Sequence, residues 1–343
     1  MGGCRIWVIR NSKGIPTAMS ADSHTRREAI LKIMRVGALG ATTAGAGLWL
    51  QSRSHRPEER TALSFRPNFT VPPDDSLPEM VVAKGDEPGA LARRAVEELG
   101  GIRRFIARGD VVVIKPNVAW DRTPEQAANT NPDVVAEMVR LCLGAGAKKV
   151  VVTDVTCNEP RRCFERSGIG RASKAAGAEV ILPEARRFKE VNLRGNVLGE
   201  WPVLDPFLQA DKVINIPIAK HHDLTGVTLG MKNWYGILGG MRQRLHQHIH
   251  ESLADLADFM RPTLTLIDAY RVLVRNGPTG GSLNDVLVKK TLVAGTDPVA
   301  LDAFVARAYW NLDPRTLRYL TLAQARGLGK VDFGSVRTRT IQV

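Results

Sequence analysis

The chain has 343 residues, of which 44% are hydrophobic and 24% charged, and its formal net charge is +13. This composition is typical of a globular protein and excludes a disordered, collagen-like or coiled-coil chain. Four cysteines are too few for a disulfide scaffold. The charge does not predict nucleic-acid binding, because aromatic residues make up only 6% and no Lys/Arg run is interleaved with Tyr or Phe. It instead favours small anionic ligands or an anionic membrane face.

Residues 1–50 resemble a twin-arginine export signal. The pair Arg26 and Arg27 precedes a mildly apolar stretch rich in Gly and Ala, from Val36 to Leu50. This stretch is short and glycine-rich for a membrane span, and an ordinary amphipathic basic helix is the alternative. Met19 is a second candidate start of the chain. The resemblance implies export of the folded protein to the periplasm or cell envelope, with membrane contact only through this signal.

The rest of the chain alternates between strand and helix patterns. Short apolar runs predict strands at 80–83, 111–114, 150–153, 180–182, 213–216, 264–267 and 291–294. Helical spacing predicts helices over 91–105, 132–143, 162–176, 253–260 and 298–310. This order predicts a Rossmann-like α/β fold, a mostly parallel sheet with helices on both faces, in one large domain over 79–343. Residues 51–78 are predicted to be a linker, and residues 189–203 a hairpin or excursion.

In such a fold, ligand-binding residues collect beyond the carboxyl ends of the strands. The first of these ends places Lys115 and Asn117, which can bind a carboxylate or phosphate, or serve only as a snorkelling lysine and a turn residue. The second places Asp154, as a ligand, a base or a helix cap. The spacing of Cys157 and Cys163 matches neither Cys-x-x-Cys nor a ferredoxin, so we expect neither to hold a cluster.

The third strand end has the densest group of polar residues: Lys220, His221, His222, Asp223, Lys232 and Asn233. Five of the seven histidines lie between residues 221 and 250. On one helix, His246 and His250 would share a face at the spacing of many metal ligands, and with His222 they are candidate ligands. A solvated histidine run is the alternative. No His-Glu-x-x-His motif is present, so no zinc protease is predicted.

Three aspartates follow the last strands. Asp268 ends one of them, and Asp297 precedes Pro298 as a helix N-cap would. Asp302 lies one turn inside that helix, where a carboxylate usually needs a partner or water. The loop from Asn276 to Gly281 matches neither a Walker loop nor Gly-x-Gly-x-x-Gly, so nucleotide binding has no specific support.

These residues, in this order, resemble the domain of unknown function 362 family over about residues 80–320. The most specific segments are Lys232-Asn233-x-x-Gly236 and Asp297-Pro-Val-Ala-Leu-Asp302. The resemblance implies a catalytic group of Lys115, Asp154, His222, Lys232 and Asp268. Asn117, Asn233 and Asp297 are expected to bind a cofactor, and the histidine spacing described above makes His222, His246 and His250 the expected metal ligands.

Members of that family often accompany iron–sulfur chemistry, some through an appended ferredoxin module. This sequence has no Cys-x-x-Cys-x-x-Cys run, so any cluster is expected to belong to a redox partner. Two classes of function remain. One is an exported redox-associated enzyme or accessory protein that binds an anionic substrate or a metal cofactor, with a histidine–aspartate pair that moves protons or ligates metal. The other is a non-catalytic periplasmic metal- or anion-binding protein, or a partner subunit of an exported iron–sulfur complex.

Overall fold

The computed structural model describes residues 62–63 and 67–343, and a mixed β-sheet lies at its centre. Most of its central strands are rich in Val and Ile, whose branched side chains pack well on a pleated surface. In chain order the strands are β1 (Met80–Lys84), β2 (Val111–Pro116), β3 (Lys149–Val152), β4 (Glu179–Val180), β5 (Phe188–Asn192), β6 (Glu200–Leu204), β7 (Lys212–Ile216), β8 (Ile218–His222), β9 (Gly226–Thr228), β10 (Leu264–Leu273), β11 (Val286–Gly295) and β12 (Thr338–Gln342).

The described α-helices begin and end largely where local signals place them. They are α1 (Pro88–Glu98), α2 (Pro132–Ala145), α3 (Pro160–Arg166), α4 (Ile169–Ala175), α5 (Gly230–Asn233), α6 (Ile249–Phe259), α7 (Pro298–Trp310) and α8 (Arg318–Ala325). The single helix predicted over 162–176 is two helices, because Gly168 adopts a left-handed φ of 75° between them. The helix predicted over 91–105 ends at Glu98, ahead of Gly100 and Gly101, which also have positive φ.

The order of the main sheet is β12-β1-β11-β10-β7-β2-β3-β4, and β8 pairs with β10 and β9 off this path. Most pairings between the described strands are parallel, whereas β11 runs antiparallel to both β1 and β10. The predicted fold class, a mostly parallel sheet with helices, is therefore confirmed. Strands β5 and β6 form a separate antiparallel pair that spans residues 189–203, the region predicted to be a hairpin or excursion, and extends one residue beyond it at each end.

Alternate residues of the strands face two layers of helices. Val81 and Ala83 of β1 pack in one cluster with α1 and α2, and Met80 and Val82 pack in another with α6, α7 and α8. The centre of the sheet is thus covered on both faces, and polar groups are expected to collect where the strands end.

The described end of the predicted linker packs against the domain. Phe69 is buried in the same cluster as Val191 of the hairpin, and Leu63 forms a β-bridge with Val191. The predicted export signal, residues 1–50, lies outside the described residues. Within the described part of the chain, no helix is long and apolar enough to cross a membrane.

Candidate functional site

Strands β2, β3 and β8 end at a cavity of about 580 Å³. We name it the lysine pocket after the three buried lysines in its wall, Lys115, Lys220 and Lys232. The predicted site residues that line it are Lys115, Asn117, Asp154, His222, Lys232, Asn233 and His246. A larger cavity, of about 760 Å³, lies beside β4 and is lined by none of the predicted site residues.

Lys115 is the most completely bonded of the three lysines. Its Nζ donates to Asp154 Oδ1 at 2.7 Å, to the Pro116 carbonyl at 3.0 Å and to Asn233 Oδ1 at 3.1 Å. Asp154 Oδ2 accepts from the Val118 amide at 2.6 Å. Burial lowers the pKa of Lys115 and raises that of Asp154, and the attraction between them opposes both shifts. The pair is therefore a buried, well-satisfied part of the pocket wall.

Three asparagines link the strands to α5. Asn117 Nδ2 donates to Asn233 Oδ1 at 3.0 Å, and Asn233 Nδ2 donates to Asn215 Oδ1 at 2.8 Å. Asn215, on β7, also donates to the Gly230 carbonyl at 2.9 Å. All three are buried. Their network fixes the position of Asn233 and of its neighbour Lys232 relative to the sheet.

Asp302 of α7 holds the other end of this short helix. Its two carboxylate oxygens accept from the Gly230 amide at 2.7 Å and from the Met231 amide at 3.0 Å. These amides are among those that a helix N-terminus leaves without an intrahelical partner. Burial raises the pKa of Asp302 to about 7, although both hydrogen bonds oppose the rise. A carboxylate one turn inside a helix is expected to need a partner, and the partners of Asp302 are these two backbone amides. Because the amides belong to α5, Asp302 acts as a positioning residue for Lys232.

Lys220 and Lys232 are buried without a carboxylate partner among the described residues. Lys220 is 1% exposed, and its Nζ donates to the Ala128 carbonyl at 2.6 Å and to Asn117 Oδ1 at 3.1 Å. Lys232 is 7% exposed, and its Nζ lies 4.3 Å from the centre of the Tyr235 ring. Burial lowers the pKa of Lys220 to about 7 and that of Lys232 to about 8. Both amines therefore titrate near neutral pH.

His222 lines the pocket as a neutral ring. Its Nδ1 accepts from the Leu224 amide at 3.2 Å, so the proton of the neutral ring is on Nε2. Burial, together with Lys232 and Lys220, lowers the pKa of His222 to about 2, and the ring is neutral at physiological pH. No described carboxylate bonds to it. His222 is therefore not part of a histidine–aspartate pair, whereas the Nδ1 of its neighbour His221 lies 3.6 Å from Asp223 Oδ1.

The three predicted histidine ligands do not converge. His246 lies in a 3₁₀ segment, Arg242–His248, and stacks on Tyr235, whereas His250 lies in α6 and stacks on Tyr319. The prediction that His246 and His250 share one helix face is wrong, because α6 begins only at Ile249. Neither nitrogen of His222 offers a free lone pair in this tautomer. Among the described residues, no group of three or more His, Cys, Asp or Glu side chains could hold a metal ion.

Two predicted aspartates lie outside the lining of the lysine pocket. Asp268 accepts from the Asn131 amide at 2.7 Å and the Tyr270 amide at 3.0 Å, and burial raises its pKa to about 6. Asp297 caps α7 by accepting from Val299 and Ala300, and it also accepts from Lys330. Their carboxylates satisfy backbone amides that would otherwise be unpaired. These contacts give Asp268 and Asp297 structural roles outside the lysine pocket, and the catalytic role of Asp268 and the cofactor role of Asp297 stay predictions.

The sequence assigned no role to several residues that line the pocket. Arg242 donates to the Val155 carbonyl at 2.8 Å and to the Thr156 carbonyl at 2.5 Å, which ties its segment to the loop after β3. Tyr235 and the exposed Cys157 also line the cavity. Lys220 stood in the polar cluster of the sequence without a role of its own. Only its burial next to Asn117 distinguishes it, and no local pattern reports that burial.

The residues that line this pocket lie within a segment that matches a family model. The family model described as "Domain of unknown function (DUF362)" matches residues 112–307, more than half of the chain. The chain belongs to this family. A thylakoid-associated protein of Synechocystis is 29% identical to this DUF362 member over 247 residues, which is 70% of this chain and 75% of the relative.

Two solved structures align with part of this chain at low sequence identity. The lactate racemase apoprotein of Thermoanaerobacterium thermosaccharolyticum aligns over 67% of this chain, with 12% identity and a TM-score of 0.40. A protein of Thermotoga maritima aligns over 71%, with 14% identity and a TM-score of 0.37. The aligned regions span 57% and 60% of those chains. At this level of similarity neither structure carries an argument about activity.

Proposed function

We propose that this DUF362 member binds a small anionic ligand, a carboxylate or a phosphate, in the lysine pocket. The observation that carries the proposal is the burial of two lysines, Lys220 and Lys232, in one cavity wall without a carboxylate partner among the described residues. Buried charges in proteins are normally paired, because removing them from water is costly. A bound anion would supply the missing partner.

The charge of the pocket wall supports an anion over a cation. Four cationic side chains line the cavity, Lys115, Lys220, Lys232 and Arg242, against two carboxylates. One of these, Asp154, is paired with Lys115. The other, Asp223, has a side chain that is 76% exposed and faces His221. The excess positive charge is thus buried. Of the two carboxylates, Asp154 is already paired with a lysine and Asp223 is exposed to solvent.

The donors in the pocket have separate roles in this proposal. Lys232 has a cation–π contact but no hydrogen-bond acceptor in the described structure, so its Nζ is the group most in need of anionic oxygens. The Nε2–H of His222 adds a neutral donor. The Lys115–Asp154 pair and the asparagines form the rigid wall. Both a carrier and an enzyme that acts on the anion would use this arrangement.

Thermal unfolding of the full chain with sulfate, phosphate or malonate, against chloride at matched ionic strength, tests the proposal. A ligand that binds only the folded state at 100 times its Kd stabilises that state by about 2.7 kcal/mol. We expect at least one of these anions to raise the Tm of the native protein. The Lys232→Gln variant should lose this rise in Tm. The control variant Lys189→Gln, which changes an exposed lysine outside the pocket, should keep it. Equal stabilisation of Lys232→Gln and the native protein would refute the site.

We also propose that residues 1–50 direct the protein to the cell envelope by the twin-arginine route. The support is the pair Arg26 and Arg27 ahead of the apolar stretch, and the thylakoid association in the name of the Synechocystis relative. Replacing both arginines by lysine should retain the protein in the cytoplasm on cell fractionation, whereas Arg53→Lys should not. Export of the double variant at the native level would contradict this proposal. An iron–sulfur redox partner stays a prediction of the family resemblance.

A further inference from the structure

The three lysines of the pocket differ in how many hydrogen-bond acceptors surround each Nζ. Lys115 has three acceptors, Lys220 has two, and Lys232 has none within the described residues. An ammonium group has three N–H donors, whereas a neutral amine has two and a lone pair. For Lys115 and Lys220, which both have acceptors within the protein, the number of acceptors therefore indicates which protonation state the site supports.

Lys115 and Lys220 are the informative comparison. The three acceptors of Lys115 include a carboxylate, which is a complete environment for an ammonium ion. The two acceptors of Lys220 are a backbone carbonyl and an amide oxygen, both uncharged. A neutral amine at Lys220 would satisfy both acceptors and keep its lone pair unbonded, at the wall of a cavity that a small molecule can enter.

We propose that Lys220 is a nucleophilic amine that forms an imine with a small anionic carbonyl compound, a 2-oxo acid or an anionic aldehyde. The proposal rests on the proposed function, because the anionic group of that compound is held by Lys232. A lysine that is desolvated and lies among other cationic groups is activated as a nucleophile in this way. The position of Lys220 in the lysine pocket, with Lys115 and Lys232, meets both conditions.

The chemistry balances without an oxidant or reductant. The Lys220 nitrogen attacks the carbonyl carbon, and the carbonyl oxygen takes up a proton to give a carbinolamine. Loss of that oxygen as water then forms the C=N bond, and the two hydrogens of the water derive from the amine nitrogen. His222 also lines the pocket, and the Nε2–H of its neutral ring is the donor that this proposal assigns to the carbonyl oxygen during the attack.

The titration of the two lysines agrees with this division of roles. Burial lowers the pKa of Lys220 to about 7 and that of Lys232 to about 8, so Lys220 loses its proton at least as readily as Lys232 near neutral pH. An ordinary lysine, with a pKa near 10.4, is neutral in only about one molecule in 2,500 at pH 7. The charge of Lys232 beside the bound anion also limits the rise in the pKa of Lys220 that the anion would cause.

Reductive trapping tests the proposal on the full chain. The protein is incubated with pyruvate and sodium cyanoborohydride at pH 7, and the adduct is measured by intact mass and located by peptide mapping. We expect one carboxyethyl group per chain, on Lys220, and at least about tenfold less labelling with acetone, which lacks the anionic group. Lys220→Arg, which retains the positive charge, should lose the adduct, and Lys189→Arg should retain it.

The outcomes separate this proposal from the function on which it rests. Anions could stabilise the protein while neither pyruvate nor a second probe, glyoxylate, forms an adduct at Lys220. That result would overturn the proposal of an imine and leave the proposal of anion binding intact. Labelling spread over exposed lysines such as Lys189, at the level seen on Lys220, would also overturn it. Because peptide mapping of the native protein locates the adduct, this result does not depend on whether Lys220→Arg folds.

Discussion

Gly236 is the position where one added methyl group should damage the lysine pocket most. A Cβ there would lie 2.6 Å from Lys115 Nζ and 2.9 Å from Asp154 Cγ, and closer still to Asp154 Oδ1. The φ of Gly236 is not in the left-handed region, so the effect is one of space and not of backbone strain. Neither neighbour can move away freely, because Lys115 donates to three acceptors and Asp154 accepts from Val118.

The expected cost of Gly236→Ala follows from these contacts. Overpacking a buried site costs about 1–3 kcal/mol, and loss of a buried hydrogen bond to a charged group costs about 1.5–3 kcal/mol. We therefore expect the free energy of unfolding in urea to fall by about 3–5 kcal/mol. Gly144→Ala is the matched control, since a Cβ at Gly144 of α2 meets nothing within 4 Å. That change should be neutral or stabilising by up to about 1 kcal/mol. Two variants within about 0.5 kcal/mol of each other would refute the steric argument.

Three further predictions concern charge and positioning. Sulfate affinity should fall as pH rises from about 6 to 9, because the anion favours the ammonium forms of Lys220 and Lys232, whose pKa values are about 7 and 8. Calorimetry in two buffers of different ionisation enthalpy should show that the protein takes up protons when sulfate binds. Release of protons on binding would contradict this prediction. Asp302→Ala should destabilise the fold by about 2–5 kcal/mol and weaken sulfate binding, because two buried amides of α5 lose their acceptor. Asp302→Asn keeps one acceptor, so its free energy of unfolding and its sulfate affinity should lie between those of the native protein and of Asp302→Ala. Urea unfolding and titration with sulfate measure the two quantities. Asp255→Ala should increase amide hydrogen exchange at residues 196–198, because the amides of these residues donate to Asp255. Unchanged exchange would contradict this prediction and show that other contacts hold the loop.

The part of the site that local sequence could predict is the part attached to strand ends. Lys115, Asn117 and Asp154 follow apolar runs, and they meet because β2 and β3 are parallel neighbours. The prediction was weaker where a polar residue had a local structural alternative. Asp297 was recognised as a helix cap and was also offered as a cofactor residue, and the structure shows the cap. Local pattern does not say whether a carboxylate will find a ligand or a backbone amide.

The sequence by itself determined where most secondary structure lies and which class of fold results. Helix α7 runs over Pro298–Trp310 as predicted, since an N-cap, a proline in the first turn and apolar spacing are all signals within a few residues. Only the tertiary structure decided the strand order, the tautomer of His222 and the number of acceptors around each lysine. The reason is physical: Lys115 meets Asn233, which is 118 residues away, and Lys220 meets Asn117 across 103 residues. Whether a buried amine is charged depends on those distant partners, which no local pattern specifies.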